Sequence, residues 1–470
     1  MERVSLENSF DLIAIGGGPA SQKACITAAK LGKRVALIEK DSHLGGGCVH
    51  WGTIPSKSLQ ETSRFFRQLT ASSIHGFETI QKKHISWKEM MHRASLVIER
   101  EEDVAREQMT EAGVKTVHGW GKLVDPHTVE VTTIDEKKKI LKGEYILIAT
   151  GSSPRRPENE NIPFTEGLVF DSDGLFSVEN IPRRIAIVGA GIIGCEYATI
   201  FAHIGIQVYL LDNADRILGF VDGEISKAME NYMKLSGIEL HLNTTVEQYQ
   251  IENGNKVILS TNKGKRLEVD QVLISRGRYG NVENIGLTEL GISVTNRKTI
   301  PVNEHYQTTV PNIYAAGDVI GFPALASVSM YQGIYVARHI FGGEENKPLD
   351  AEELPLGVYT LPEVASIGPT EEALKERGIE YGVGKANFET ITRSQISGDT
   401  WGILKLLYEK KTHKLLSVHI VSEKATELLA LGQSVVNLGG TIDYFTEHVF
   451  NYPTMIGAYK NAAHDALSKK

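Results

Sequence analysis

Two glycine turns in this chain are each followed, at the same distance, by a carboxylate. Gly16 and Gly18 lie in FDLIAIGGGPAS and Glu39 closes RVALIE, whereas Gly189, Gly191 and Gly194 lie in RIAIVGAGIIGCEYA and Asp212 closes QVYLLD. Glu39 follows Gly18 by 21 residues, and Asp212 follows Gly191 by the same 21. Each stretch reads as strand, tight turn, helix and strand. Such a turn faces backbone N–H groups and a helix N-terminus toward a pyrophosphate, and its acid meets a ribose hydroxyl. The first copy departs once, with Ser21 at the third glycine position. Two equivalent units imply two dinucleotides, one a tightly held flavin and the other an exchangeable nicotinamide cofactor, which makes hydride transfer the leading chemistry.

A third glycine run, GGGCVHWGTIPSK from Gly45 to Lys57, opens into a proline-marked helix and carries one redox-capable side chain, Cys48. Thr53 stands five positions on, and its hydroxyl neither forms a disulfide nor ionises near neutral pH. An internal dithiol cycle is therefore excluded, and electrons need another acceptor. Cys25 and Cys195 fall on helices after glycine turns and read as packing residues.

Composition bounds the rest. At 470 residues the chain exceeds one hydrophobic core and accommodates three domains of ordinary size. A net charge of −8 argues against nonspecific binding of nucleic acid or acidic membranes. Three cysteines build no disulfide framework and MERVSLENSF has no leader pattern, so the expected compartment is the cytoplasm. No apolar run approaches the roughly 18 residues that cross a bilayer.

The elements that must position these residues follow in order. Residues 1–155 form a first dinucleotide domain that includes a long charged helix over Ser86–Gly113 without a catalytic role. Residues 156–279 form a second dinucleotide domain, 280–350 a return segment to the first, and 351–470 an α+β domain with an antiparallel sheet. The expected fold class is α/β, two Rossmann-like domains plus that C-terminal domain.

GGGCVHWGTIPSK resembles the flavin-facing segment of the pyridine nucleotide-disulfide oxidoreductases, and YILIATGSSPRRP and TTVPNIYAAGDVIGFPALAS resemble that family's return strand and second flavin motif. Family members carry two cysteines where this chain has Cys48 and Thr53. Near the C-terminus they carry a histidine and, five residues on, a glutamate, where NYPTMIGAYK has Tyr452 and Gly457. Thiol and base are thus lost together while the cofactor motifs stay, and a phenol of pKa about 10 replaces poorly for an imidazole. His448, one turn away, reads as an ordinary surface or interface histidine. The combination is similar to the soluble, Si-specific NAD(P) transhydrogenase branch of the family.

That resemblance implies a homodimeric FAD enzyme with a ping-pong cycle, NAD(H) and NADP(H) exchanging hydride through the flavin. It implies FAD contacts at Gly16, Gly18, Glu39, Gly47, Cys48, Lys57, Gly121, Asp318 and Ala326, and nicotinamide-cofactor contacts at Gly189, Gly191, Gly194, Asp212 and Gly277. Lys57 and Glu196 are the expected catalytic pair, a cation and its carboxylate beside the flavin. No metal is implied. Asp212 disagrees in part, because a carboxylate there accepts from the 2′-hydroxyl of NAD and repels the 2′-phosphate of NADP. Neither Asn213 nor Ala214 supplies a cation, and Arg216 is the nearest candidate. Two other functions fit the missing dithiol: an NAD(P)H dehydrogenase that passes electrons to a quinone or another external acceptor, and a non-catalytic flavin-binding redox sensor.

Overall fold

A computed structural model describes residues 8–70, 76, 85–157, 160–342 and 349–469. Residues 1–7, read above for a leader, lie outside the described residues, as do 343–348 of the return segment. The chain divides into two compact units, the first made of residues 1–58, 91–156 and 277–348, the second of 59–90, 157–276 and 349–470.

In the first unit the apolar strand Ser9–Ile15 lies between Val35–Glu39 and Lys138–Ile148, parallel to both, and Lys115–His118 and Ile313–Ala315 extend the parallel sheet. Alternation along the central strand separates two cores. Leu12 and Ala14 pack with Ala20, Ala24 and Ala28 of helix Pro19–Lys30, with Ala105 and Met109 of helix Trp87–Glu111 and with Val336 of helix Ala326–Phe341. Ile13 and Ile15 point to the other face, against Leu123, Val129 and Val131 of an antiparallel meander. The first and last of those three helices approach closely at Gly333, where a Cβ would lie 2.0 Å from the Ala20 carbonyl oxygen.

The second unit contains the second parallel sheet, ordered Glu239–His241, Gln207–Leu211, Arg184–Val188, Gln271–Ile274, Val169–Asp171. Three antiparallel strands, Val246–Glu252, Lys256–Thr261 and Arg266–Val269, cover one face through Val257 and Leu259. It also contains the five-stranded antiparallel sheet of the C-terminal segment, ordered Leu356–Val358, Glu363–Ile367, Leu415–Ser422, Gly402–Glu409, Tyr381–Asn387. Helices Ala425–Asn437 and Gly457–Ser468 close the core of that sheet around Phe388, Phe445 and Tyr459.

A buried ionic cluster ties elements of the second unit together. Lys405, 1% exposed, lies 3.0 Å from both oxygens of Asp222 and 2.5 Å from Glu371 Oε2. Asp222 also caps helix Gly223–Leu235. Burial works to raise the Glu371 carboxyl, but hydrogen bonds from Lys375, Lys405 and Tyr381 outweigh it and bring it down to about 2. A lowered carboxylate contributes stability above its ordinary value, 4.5 here, and that contribution drains away as pH falls toward about 2. Replacing Lys405 with Met leaves Asp222 buried without its cation. We expect a loss of about 3–5 kcal/mol in chemical denaturation at neutral pH, and a smaller difference from wild type below pH 4.

Candidate active site

The first glycine turn is built around Glu39. Its Oε2 accepts the Gly17 N–H at 2.5 Å and its Oε1 the Asp41 N–H at 2.9 Å, so the strand-end carboxylate clamps the turn. Burial pushes the Glu39 carboxyl up, against the hydrogen bonds from Asp41 and Gly17. Gly16 has φ +105°, and a Cβ there would lie 2.3 Å from the Ala149 carbonyl oxygen, so only glycine fits. Gly18 opens helix Pro19–Lys30 with no side-chain cap, and nothing lies within 4 Å of the place its Cβ would take. The first N–H groups of that helix therefore carry no side-chain cap. Gly46 closes in on Gly18, where its Cβ would stand 2.9 Å from the Gly18 Cα.

The second turn repeats this construction in the second unit. Asp212 Oδ2 accepts the Ala190 N–H at 2.5 Å and Oδ1 the Ala214 N–H at 2.8 Å. Gly189 has φ +116°, Gly191 opens helix Ile192–His203 without a side-chain cap, and a Cβ on Gly194 would lie 1.8 Å from the Gly189 carbonyl oxygen. In the first turn Ser21 replaces that third glycine, fully buried, with no hydrogen-bond partner for its hydroxyl among the described residues. Both turns are cradles of backbone donors with an acid at the rim, which fits a pyrophosphate and an adjoining ribose.

In the third glycine run the Cys48 thiol is hydrogen-bonded to the Thr53 hydroxyl. Burial pushes it up, the Thr53 hydrogen bond pulls down, Asp318 raises it and Lys57 lowers it, with a net rise above the ordinary 9.0. Cys48 is thus a thiol at neutral pH, with Lys57 and Asp318 near enough to act on it electrostatically. Lys57 Nζ donates to Ser56 Oγ at 3.3 Å. Asp318 accepts from Ser152 Oγ at 2.7 Å, and Ser152 in turn accepts from the Arg278 Nε–H at 2.9 Å. Sequence reading missed Ser152 and Arg278, although Ser152 lies within the quoted GSSPRRP. A partner 166 positions away leaves no local signal.

The other expected contacts are distributed as follows. Gly47 has open space at its Cα, and Ala326 starts helix Ala326–Phe341. Gly121, within strand Trp120–Asp125, makes room for Ile15 and Ile38 at 3.2 and 3.3 Å from its would-be Cβ, a packing position behind the first turn. Gly277 belongs to the first compact unit, where its carbonyl accepts the Arg155 N–H, whereas Gly189, Gly191, Gly194 and Asp212 belong to the second. Glu196, also in the second, is 3% exposed and accepts the Tyr359 N–H at 2.8 Å. Cys25 and Cys195 are fully buried, and burial raises both thiols.

At the C-terminal motif, Tyr452 is exposed and its hydroxyl donates to Thr392 Oγ1 at 3.0 Å. Gly457 begins the last long helix, and a Cβ there would meet only Ile391 at 3.9 Å, so space does not demand glycine. His448 Nδ1 pairs with the Tyr444 carbonyl at 3.0 Å and its ring lies 4.3 Å from that tyrosine, which ties it to its own turn.

Residues 10–333 match the model of the pyridine nucleotide-disulphide oxidoreductases, and residues 354–463 match the dimerisation domain of the same family. The chain belongs to the pyridine nucleotide-disulfide oxidoreductase family. Its architecture, two dinucleotide folds with a C-terminal α+β domain, is the family's. Soluble pyridine nucleotide transhydrogenase from Mycobacterium tuberculosis is 40% identical over 463 residues, 98% of this chain and 97% of the relative. The protein of that name from Vibrio atlanticus is 36% identical over 99% of this chain and its own full length. Among solved structures, the HOCl-induced flavoprotein disulfide reductase RclA from Escherichia coli has a TM-score of 0.86 at 26% identity, covering 97% of this chain and 99% of RclA. The family's name refers to a disulfide, yet here a threonine hydroxyl stands where the second sulfur would be, and it is burial that keeps Cys48 a thiol. No helix among the described residues is long and apolar enough to cross a membrane.

The raised Cys48 thiol makes a chemical prediction. Alkylation of Cys48 by iodoacetamide, followed by peptide mass spectrometry, should be slow at neutral pH and keep rising with pH past 9.0, where an unperturbed thiol begins to level off, while native Cys25 and Cys195 stay unmodified.

Proposed function

We propose that the chain is an FAD-dependent transhydrogenase that moves hydride between NADPH or NADH and NAD+ or NADP+ in a ping-pong cycle, working as a soluble cytoplasmic homodimer. The observation that carries this reading is the pairing of two glycine-turn cradles, each clamped by a strand-end carboxylate, with a lone Cys48 that has Thr53 beside it where a second sulfur would stand. Bound FAD supplies a group that takes up and gives back hydride. The residues proposed to hold it are Gly16, Gly18 and Glu39 at the pyrophosphate and ribose, with Gly47, Cys48, Gly121, Asp318 and Ala326 as further contacts. Asp318 is pre-oriented by Ser152, itself held by Arg278. Gly189, Gly191, Gly194, Asp212 and Gly277 are proposed to hold the exchanging nicotinamide cofactor.

Lys57 and Glu196 are proposed as the residues that carry the chemistry. Lys57 supplies a fixed positive charge on helix Thr53–Thr70, near the face where Cys48 sits. Glu196 is a buried carboxylate held in one orientation by the Tyr359 N–H. Neither Cys48 nor Tyr452 is assigned a proton to move. The thiol is held protonated, and the phenol donates to Thr392.

Anaerobic reduction by NADPH, followed by thionicotinamide-NAD+, tests the assignment. Rapid appearance of the reduced thionicotinamide product supports transhydrogenation. Reoxidation by a quinone alone, or no reduction at all, replaces it with a dehydrogenase or a sensor. Lys57→Met should slow the hydride steps by about 10²-fold in stopped flow with little change in nicotinamide affinity. Asp212→Asn should raise the NADPH-to-NADH ratio of kcat/KM by about tenfold. It should also weaken both cofactors, since an amide has one acceptor oxygen for the two N–H groups of Ala190 and Ala214.

A further inference from the structure

The loop after Asp212 is anchored on both sides of Arg216 to the surroundings of that carboxylate. Ala214 N–H donates to Asp212 Oδ1, Ala190 N–H donates to Oδ2, and Leu218 N–H returns to the Ala190 carbonyl at 2.9 Å. Arg216 therefore leaves the chain from the rim of the cradle that Asp212 marks. Its guanidinium is engaged elsewhere, donating to the Gly219 carbonyl at 2.6 Å and to Glu372 Oε1 at 3.5 Å. The same Glu372 oxygen accepts the Gly223 N–H at 3.0 Å, at the start of helix Gly223–Leu235.

Glu372 comes from the C-terminal segment, on the short helix Glu371–Glu376. That helix is fixed by its neighbour Glu371, which shares buried Lys405 with Asp222, and by the Glu371 N–H donating to Asp222 Oδ2 at 3.1 Å. The acid beside Arg216 is thus held in place by a buried cluster rather than by the loop it touches.

We propose that Glu372 is a positioning residue for cofactor specificity. By holding and neutralising Arg216, it withholds from a 2′-phosphate the cation nearest to Asp212 in sequence. An arginine matches a phosphate with two parallel N–H donors, so an unoccupied Arg216 would offset the repulsion from Asp212. With Arg216 committed to Glu372 and Gly219, the ribose end favours the nucleotide that carries a free 2′-hydroxyl. This inference rests on reading the second glycine turn as the nicotinamide-cofactor site.

Glu372→Gln removes the charge and keeps an acceptor for Gly223. Calorimetric titration of full-length, FAD-loaded protein with 5′-AMP and with 2′,5′-ADP reads the ribose end without turnover. Glu372→Gln should tighten 2′,5′-ADP by about fivefold, the size of one surface ion pair, and leave 5′-AMP within about twofold. Adding Arg216→Ala should abolish the gain, whereas Arg216→Ala alone should leave 2′,5′-ADP within about twofold of wild type. An unchanged ratio in Glu372→Gln, or a gain that survives loss of Arg216, overturns the proposal while 5′-AMP binding keeps the site reading intact. Wild-type protein that binds neither nucleotide overturns both. Should Glu372→Gln fail to fold, Arg216→Ala alone decides, because weaker 2′,5′-ADP binding would mean that Arg216 already serves the phosphate.

Discussion

A carboxylate at the end of a strand, accepting the N–H of a glycine turn, is the contact on which both dinucleotide cradles depend. Glu39 receives Gly17 and Asp212 receives Ala190, each at 2.5 Å. The bond holds the turn in a shape that leaves the following helix uncapped and its N–H groups free for an anion. It also leaves each carboxylate at the rim of its turn, where under the proposed assignment the group that shapes the turn would also set the electrostatic preference for the nucleotide. Structure and specificity are therefore hard to alter separately at Asp212, because both of its oxygens are already occupied by backbone donors.

The chemistry follows from what surrounds one sulfur atom. A thiol becomes a redox group through a partner sulfur or through stabilisation of its thiolate. Cys48 has neither, since Thr53 occupies the partner position and burial outweighs the nearby Lys57. The C-terminal motif agrees, with an exposed tyrosine bonded to Thr392 and an uncrowded glycine where a base and its orienting acid would otherwise stand. These departures remove the route through sulfur and leave the two cradles untouched.

The buried cluster of Lys405, Asp222 and Glu371 gives the second unit a polar anchor in its interior. Breaking such a cluster from one side is strongly destabilising, because the remaining charges stay out of water. It also brings a side chain of the C-terminal segment, Glu372, to the loop that follows Asp212. A segment matched to a dimerisation domain thereby contributes a side chain to the loop beyond the carboxylate that clamps the second glycine turn.

The sequence by itself determined the two glycine turns, the acids that close their second strands, the absent dithiol and the antiparallel character of the C-terminal sheet. Each is a local pattern of residue type and spacing, and local patterns constrain backbone conformation directly. Tertiary structure alone decided the partners of those residues. Ser152 behind Asp318, Tyr359 on Glu196 and Glu372 on Arg216 join positions 166, 163 and 156 residues apart, and no periodicity encodes such pairings. The protonated state of Cys48 belongs to the same class. Its residue type was legible, but the burial that raises its pKa is a property of the packed chain.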